Sequence, residues 1–265
     1  MSRFDLKGCS VLITGASAGI GREFARQLTG RAGSLVLVAR RRERLEELRN
    51  ELTTRDPNLK VHVRPTDLSD ENAVTDLCGW LEREKIAIDL LINNAGLGDH
   101  GLFATSAPQR VKEIMEVNVV ALTVLTRELL PGMIARKRGA VLNVSSSASF
   151  VPIPRIAVYA ATKAFVTSFS EAIRTELRDT GVTVTSLCPG PVHTEFTQVA
   201  QRAAERAITG PEFSYVPVED VVSAALTALE RDRPLVIPGF LMKLVMFIVR
   251  LTPMPLLRCA ARFWK

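Results

Sequence analysis

Ser146, Tyr159 and Lys163 carry the side chains in this sequence best suited to acid–base chemistry. Tyr159 and Lys163 stand four residues apart in an alanine-rich segment that follows a loop broken by Pro152 and Pro154. On a helix that interval puts both on one face, with Cβ atoms roughly 5–6 Å apart. An ammonium at that distance favours the ionised phenol, so the tyrosine pKa is expected to fall from its usual value of about 10. A phenol tuned in this way gives and takes a proton near neutral pH. Ser146, at a hydroxyl-rich strand end with Ser145 and Ser147, would hold a substrate oxygen against the phenol. A Tyr-x-x-x-Lys pair also arises by chance on many helices, so the rest of the chain must supply something for these groups to act on.

The N-terminal part supplies it. Ser10 to Thr14 is a short apolar run ending in Gly15-Ala16-Ser17-Ala18-Gly19-Ile20-Gly21, after which a helical pattern runs through Phe24 and Leu28. Strand, glycine turn and helix in that order let backbone N–H groups and a helix N-terminus approach a pyrophosphate. The spacing is G-x-x-x-G-x-G, not the commoner G-x-G-x-x-G. Leu35 to Val38 has the unbroken apolarity of a parallel strand buried on both faces. At its end, where an NAD-selective site places an acid, the chain has Ala39 and then Arg40-Arg41-Arg42. Guanidinium groups there favour the 2′-phosphate of NADP. Arg40 directly follows the strand and is the candidate. Arg42 and Arg44 read as the exposed start of a helix over 43–52.

Further along, Val61 to Pro65 reads as a third strand and leads through Asp67, Leu68 and Ser69 into a helix ending near Lys85. Asp67 has two readings, a contact to an adenine amino group or a helix cap, and Ser69 is the better cap candidate. Ile88 to Ile92 is a fourth strand, opening into Asn93-Asn94-Ala95-Gly96, whose small and amide residues suit close cofactor approach and bracing between strands. A long helix is expected from a cap at Ser106 to about Arg136. Asn118 sits inside it, where asparagine is disfavoured, and is either innocent or kept for chemistry. Strand and helix patterns thus alternate, which predicts an α/β fold: one three-layer, doubly wound parallel sheet with no second domain.

Composition bounds the function. The 265 residues are 47% hydrophobic, enough for a full core, and 34 basic against 28 acidic residues give a charge of +6. The cations lack the interleaved aromatics of a nucleic-acid platform, so anionic small molecules or an anionic membrane surface are the better partners. The four cysteines, Cys9, Cys78, Cys188 and Cys259, show no metal or disulfide spacing. They read as reduced cytosolic thiols, and no secretory signal is evident, so a cytoplasmic protein is expected. His100 and His193 are isolated loop residues without a third ligand; no metal site is expected.

Thr14-Gly15-x-x-x-Gly19-x-Gly21, Asn93-Asn94-Ala95-Gly96, Asn118, Ser146, Tyr159-x-x-x-Lys163 and Pro189-Gly190 together resemble, in order and spacing, the short-chain dehydrogenase/reductase family. The resemblance covers roughly residues 7–238. It implies a Rossmann sheet of about seven parallel strands and makes Asn118, Ser146, Tyr159 and Lys163 a catalytic tetrad. It further implies cofactor contacts from Gly15, Ser17, Ala18, Gly19, Ile20 and Gly21, from Asp67 and Leu68 at adenine, and from Asn94, Ala95 and Gly96 along the dinucleotide. Lys163 would hold the nicotinamide ribose with Tyr159 nearby, and Pro189, Gly190, Val192 and Thr194 would meet the carboxamide end. Arg40 resembles the basic residue of NADP-preferring members, although Ala18 stands where some of them carry a second cation. The implied reaction is NADP(H)-dependent hydride transfer between a carbonyl and a secondary alcohol. Homodimers or homotetramers are common in the family. A nucleotide-sensing or interaction protein without turnover is the alternative.

Two segments lie outside that core. Residues 193–217, with a short polar helix around 198–207 and Thr209-Gly210-Pro211, read as a substrate lid on the domain formed by residues 1–239. Phe150, Val151, Ile153 and the loop 97–103 would supply apolar walls for a hydrophobic substrate. Residues 240–265 form an apolar extension interrupted by Lys243 and Arg250, too short and too charged to span a bilayer. It either packs over the pocket or a subunit interface, or lies as an interfacial helix on anionic lipid.

Overall fold

The computed structural model describes residues 4–202 and 214–261. Seven strands among them form one parallel sheet: β1 (Ser10–Thr14), β2 (Ser34–Ala39), β3 (Lys60–Pro65), β4 (Leu90–Asn93), β5 (Gly139–Val144), β6 (Val182–Leu187) and β7 (Leu235–Val236). Their order is β3-β2-β1-β4-β5-β6-β7. The chain reverses direction across the sheet beside β1, which pairs with β2 in the register Val11 to Leu35 and with β4 in the register Val11 to Leu90. That switch point opens a crevice beyond the carboxyl ends of the strands.

The inner strands β1, β2, β4, β5 and β6 are buried on both faces while the edge strands β3 and β7 are half-buried, and successive side chains feed opposite layers. Val11, Ile13, Leu35, Leu37, Leu90 and Ile92 pack with α1 (Gly19–Leu28), α2 (Arg42–Arg55) and α8 (Val218–Glu230), through Phe24, Leu28, Leu48 and Leu226. Leu12, Val36, Val38, Leu91, Val141 and Val184 face the other layer. That layer holds α3 (Glu71–Arg83), α4 (Pro108–Met115), α5 (Leu122–Ala135) and α6 (Ala157–Glu176).

Three local expectations are corrected. Asp70, not Ser69, caps α3, accepting from the Asn72 amide, because the helix starts at Glu71. The long helix does not begin on a Ser106 cap. Pro108 opens α4, where its missing N–H costs nothing and its φ is already helical. Nor is that helix continuous: Glu116–Ala121 winds as a π-turn between α4 and α5, and Asn118 lies in it. Helix α7 (Glu195–Ala200) is capped by the Thr194 hydroxyl on the Phe196 amide, and the polar helix expected around 198–207 lies mostly outside the described residues. Thr209-Gly210-Pro211 lies outside the described residues.

Candidate active site

The glycine turn is shaped by close packing as well as by backbone freedom. Gly15 and Gly19 have φ of +67° and +52°. At Gly21 an added Cβ would sit 2.4 Å from both Asn94 Nδ2 and the Gly15 carbonyl oxygen, and at Gly19 it would sit 3.0 Å from the Thr194 methyl. Side chains are therefore excluded where a phosphate must approach backbone. Thr14 and Asn94 lock the turn to the next strand end. Thr14 Oγ1 accepts from the amides of Asn94 (2.9 Å) and Ala95 (3.0 Å), and Asn94 Nδ2 donates to the Thr14 carbonyl at 2.9 Å. Behind them Asn93 donates to Thr126 and Asn143, the bracing that its amide led us to expect.

A cleft of about 1350 Å³ runs from this turn across the switch point. It is lined by Gly15, Ser17 to Ile20, Arg40, Asp67, Leu68, Asn94 to Gly96, Ser146, Tyr159, Lys163, Pro189, Gly190, Val192 and Thr194. All but two of the residues assigned from the sequence thus share one wall system. Gly21 stands behind the turn and shapes it, and Asn118 stands beneath the floor.

At the inner end, Ser146, Tyr159 and Lys163 share the cleft wall, and the Ser146 side chain lies near enough to the Tyr159 hydroxyl to lower its pKa. Part of the Tyr159 ring reaches the cleft, but the hydroxyl lies deep, and burial pushes its pKa up to about 12 against the smaller opposing effect of the Ser146 side chain. The expected fall below 10 is therefore corrected. Lys163 is itself buried, which pulls its pKa down to about 8. Its Nζ donates to the Val144 carbonyl at 2.7 Å and lies 5.8 Å from the centre of the Tyr159 ring. Desolvation thus dominates both groups. At neutral pH the phenol keeps its proton and the amine its charge.

Asn118 is a positioning residue. Its Oδ1 accepts from the Leu97 amide at 2.8 Å, while Nδ2 donates to the Leu97 carbonyl and to Thr162 Oγ1, both at 3.0 Å. The π-turn aims this amide inward. It pins the loop after Gly96 to α6, one residue from Lys163.

At the opposite end Arg40 is exposed beside Asp67. Asp67 is neither helix cap nor unpartnered acceptor: it accepts from the Ser69 amide (3.0 Å) and hydroxyl (2.7 Å). Burial opposes its ionisation, but the Ser69 bonds and the Arg40 charge prevail and hold its pKa below the ordinary value. Arg41, which the sequence did not single out, donates to Ser17 Oγ at 3.2 Å and to Glu195 at 2.9 Å. Arg44 reaches Glu195 as well, at 2.5 Å, and so is more than a solvated helix residue. Glu195 stands at the start of α7, far along the chain from these arginines, and no local pattern announced the pairing.

The apolar wall is smaller than expected. Ile153 and residues 97–100 line the cleft, joined by Phe196, Val199 and Ala200 of α7. Phe196 lies against Tyr159, ring centres 5.2 Å apart. Phe150 and Val151 do not line it, and Leu102 and Phe103 point to solvent.

Glycine cradle, switch-point cleft and buried Ser–Tyr–Lys group define a dinucleotide-binding α/β protein with an acid–base site at the cleft's inner end. The sequence matches the short chain dehydrogenase family over residues 10–205, and the chain belongs to that family. It is 35% identical over 199 residues to dehydrogenase/reductase SDR family member 7B of Bos taurus, a match spanning 74% of this chain and 61% of that protein, under two thirds of its length. It is 38% identical over 191 residues to the NADP-dependent 3-hydroxy acid dehydrogenase YdfG of Escherichia coli K12, covering 71% of this chain and 75% of that one. A short-chain dehydrogenase from Sphingobium yanoikuyae, solved in complex with NADPH, superposes with a TM-score of 0.80 at 32% identity, over 88% of each chain.

Proposed function

We propose that this protein is an NADP(H)-dependent oxidoreductase that interconverts a carbonyl and a secondary alcohol on a hydrophobic small molecule. The observation that carries the reading is the convergence of Ser146, Tyr159 and Lys163 at the inner end of a glycine-cradled cleft, with the Lys163 amine 5.8 Å from the centre of the Tyr159 ring. The cleft fits a dinucleotide: its wall carries the glycine turn, with positive φ at Gly15 and Gly19, at one part and the Arg40 cation at another. Gly15 to Gly21 would hold the pyrophosphate, Asp67 and Leu68 the adenine, and Asn94 to Gly96, Lys163, Pro189, Gly190, Val192 and Thr194 the nicotinamide half. When bound, the cofactor supplies or accepts the hydride.

Tyr159 gives the substrate oxygen its proton in reduction and takes it back in oxidation. A phenol that holds its proton at neutral pH is suited to the donor role. Ser146 fixes the oxygen and limits charge on it. Lys163 brings positive charge beside the phenol and would hold the nicotinamide ribose, and Asn118 keeps the loop and α6 in register for it. Arg40 supports NADP over NAD, and Arg41, bonded to Ser17 on the cleft wall, adds to it. The known NADPH complex and NADP-dependent relative support the same preference.

Apolar Leu97, Ile153, Phe196 and Val199 support a hydrophobic substrate. Met115, Val120 and Phe165 are exposed on the helical layer that carries Asn118 and Tyr159, which supports a homodimer or homotetramer joined there. The cysteines carry free thiols, in keeping with a cytoplasmic location. The domain is taken as residues 1–239, with 193–217 as lid. Loss of NADPH absorbance in the presence of ketones, aldehydes, steroids and β-keto thioesters tests the proposal. Turnover with at least one carbonyl supports it; tight NADPH binding with no turnover across the panel would leave a nucleotide-binding regulator.

A further inference from the structure

Helix α9 (Phe240–Leu251) has two unlike faces. Toward the protein stand Met242 and Met246, four residues apart, with Arg250 at the border of that face. Met242 lies so close to Gly190 that a Cβ there would be 2.6 Å from its Cε; Met246 is buried, and the Arg250 guanidinium is 5.5 Å from the Phe150 ring centre. The opposite face is apolar and in solvent: Phe240 is 85% exposed, Phe247 61% and Leu251 68%, with Leu244 and Ile248 between them. At 100° per residue these five share one side of the helix, where a surface helix normally carries polar groups.

Charge selects what covers this face. Residues 240–265 contain Lys243, Arg250, Arg258, Arg262 and Lys265 and neither aspartate nor glutamate. Lys243 and Arg250 fall on the border between the two faces. A two-fold contact with a second copy would set these cations against one another. An anionic headgroup layer meets them with opposite charge and takes up the convex apolar side without needing a groove.

We propose that the outer face of α9 docks the protein onto an anionic lipid bilayer, with Lys243 and Arg250 at headgroup depth. The inner face of the same helix packs through Met242 on Gly190, which lines the cleft, so docking brings that wall of the cleft to the lipid surface. The substrate class is accordingly a bilayer-dissolved carbonyl compound; this last step rests on the hydride-transfer reading, whereas the docking does not.

Flotation of the full chain with NADPH decides it, using vesicles of phosphatidylcholine alone or mixed with phosphatidylglycerol. The wild type should float with the anionic vesicles, less at high salt and little with the neutral ones. Phe247→Glu with Leu251→Glu should lower partitioning by about tenfold or more, since each removes a side chain otherwise buried in lipid. Lys243→Glu with Arg258→Glu should abolish the preference for anionic vesicles. Because all four side chains point to solvent, NADPH affinity and turnover of a water-soluble ketone should be retained, and these report the oxidoreductase reading separately. A wild type that floats with neither vesicle, or an apolar-face variant that floats like the wild type, overturns the docking. So does an oligomer, seen by size-exclusion light scattering, that Phe247→Glu with Leu251→Glu dissociates, for then a second copy covers the face.

Discussion

Replacing Lys163 by methionine should stabilise the fold while removing the charge the chemistry needs. The amine is 4% exposed, and burial lowers its pKa from 10.5 to about 8. At about 1.4 kcal/mol per pH unit, keeping it charged at neutral pH costs the folded state about 3 kcal/mol relative to the unfolded one. Methionine has a similar shape and no charge, so packing is largely conserved. The Val144 carbonyl loses its 2.7 Å donor, which takes back about 1 kcal/mol. The net expectation is a gain of about 2 kcal/mol, or a rise in melting temperature of roughly 4–8 °C for a chain of this size. The pH dependence separates charge from packing. Below about pH 8 both folded and unfolded lysine are protonated, and the wild type bears the whole penalty. Between about 8 and 10.5 the folded amine releases its proton while the unfolded one keeps it, so wild-type stability rises with pH and the gap between the proteins closes. Tyr159, raised from 10.0 to about 12, weakens both proteins equally above pH 10 and cancels in the difference. Calorimetry of the two proteins at about pH 7 and about pH 10 measures both gaps. A variant less stable than the wild type at neutral pH, or a gap that does not change with pH, would refute the assignment of a desolvated charge at this position.

Other expectations follow from the cofactor cleft. Arg40→Asp removes a charge-assisted hydrogen bond to the 2′-phosphate and should weaken NADP(H) binding by about 1.5–3 kcal/mol, with NAD(H) little affected. In paired titrations an unchanged ratio would mean that the phosphate is read elsewhere. Glu195→Gln frees Arg41 and Arg44 from two exposed ion pairs, each worth about 0.2–1 kcal/mol, and should tighten NADP(H) by about two- to tenfold. Equal effects on NAD(H) would show that Glu195 does not compete with the 2′-phosphate. Gly21→Ala puts a methyl 2.4 Å from Asn94 Nδ2 and the Gly15 oxygen, so the turn must open. It should cost about 1–3 kcal/mol of stability along with nucleotide affinity, and normal thermal unfolding with normal titration would contradict the cradle.

The sheet was readable because parallel strands buried on both faces are unbroken apolar runs: Ser10 to Thr14 came out with its observed ends, and Leu35 to Val38 within one residue at each. The glycine turn and the shared face of Tyr159 and Lys163 were readable because close approach and i, i+4 spacing leave marks in residue type. What was hidden depends on burial or on residues that meet from distant parts of the sequence. The phenol pKa was read from spacing alone, which shows the neighbouring amine and not the desolvation that outweighs it. The Arg41–Glu195–Arg44 grouping joins residues from two strand ends, so it has no local pattern. The π-turn at Asn118 adds one residue to a helical repeat; the disfavoured asparagine was its trace. Thr14, already part of the motif, gave no sign that it ties the glycine turn to Asn94 and Ala95.

Transfer of deuterium from NADPH labelled at the nicotinamide C4 to a substrate carbonyl, compared between the wild type and Tyr159→Phe, tests the central claim most directly. With a carbonyl the wild type reduces, label should appear on the alcohol carbon, and the variant should bind NADPH with wild-type affinity yet transfer label slower by several orders of magnitude. Transfer by Tyr159→Phe at close to the wild-type rate would contradict the account, because the proton would then come from another group.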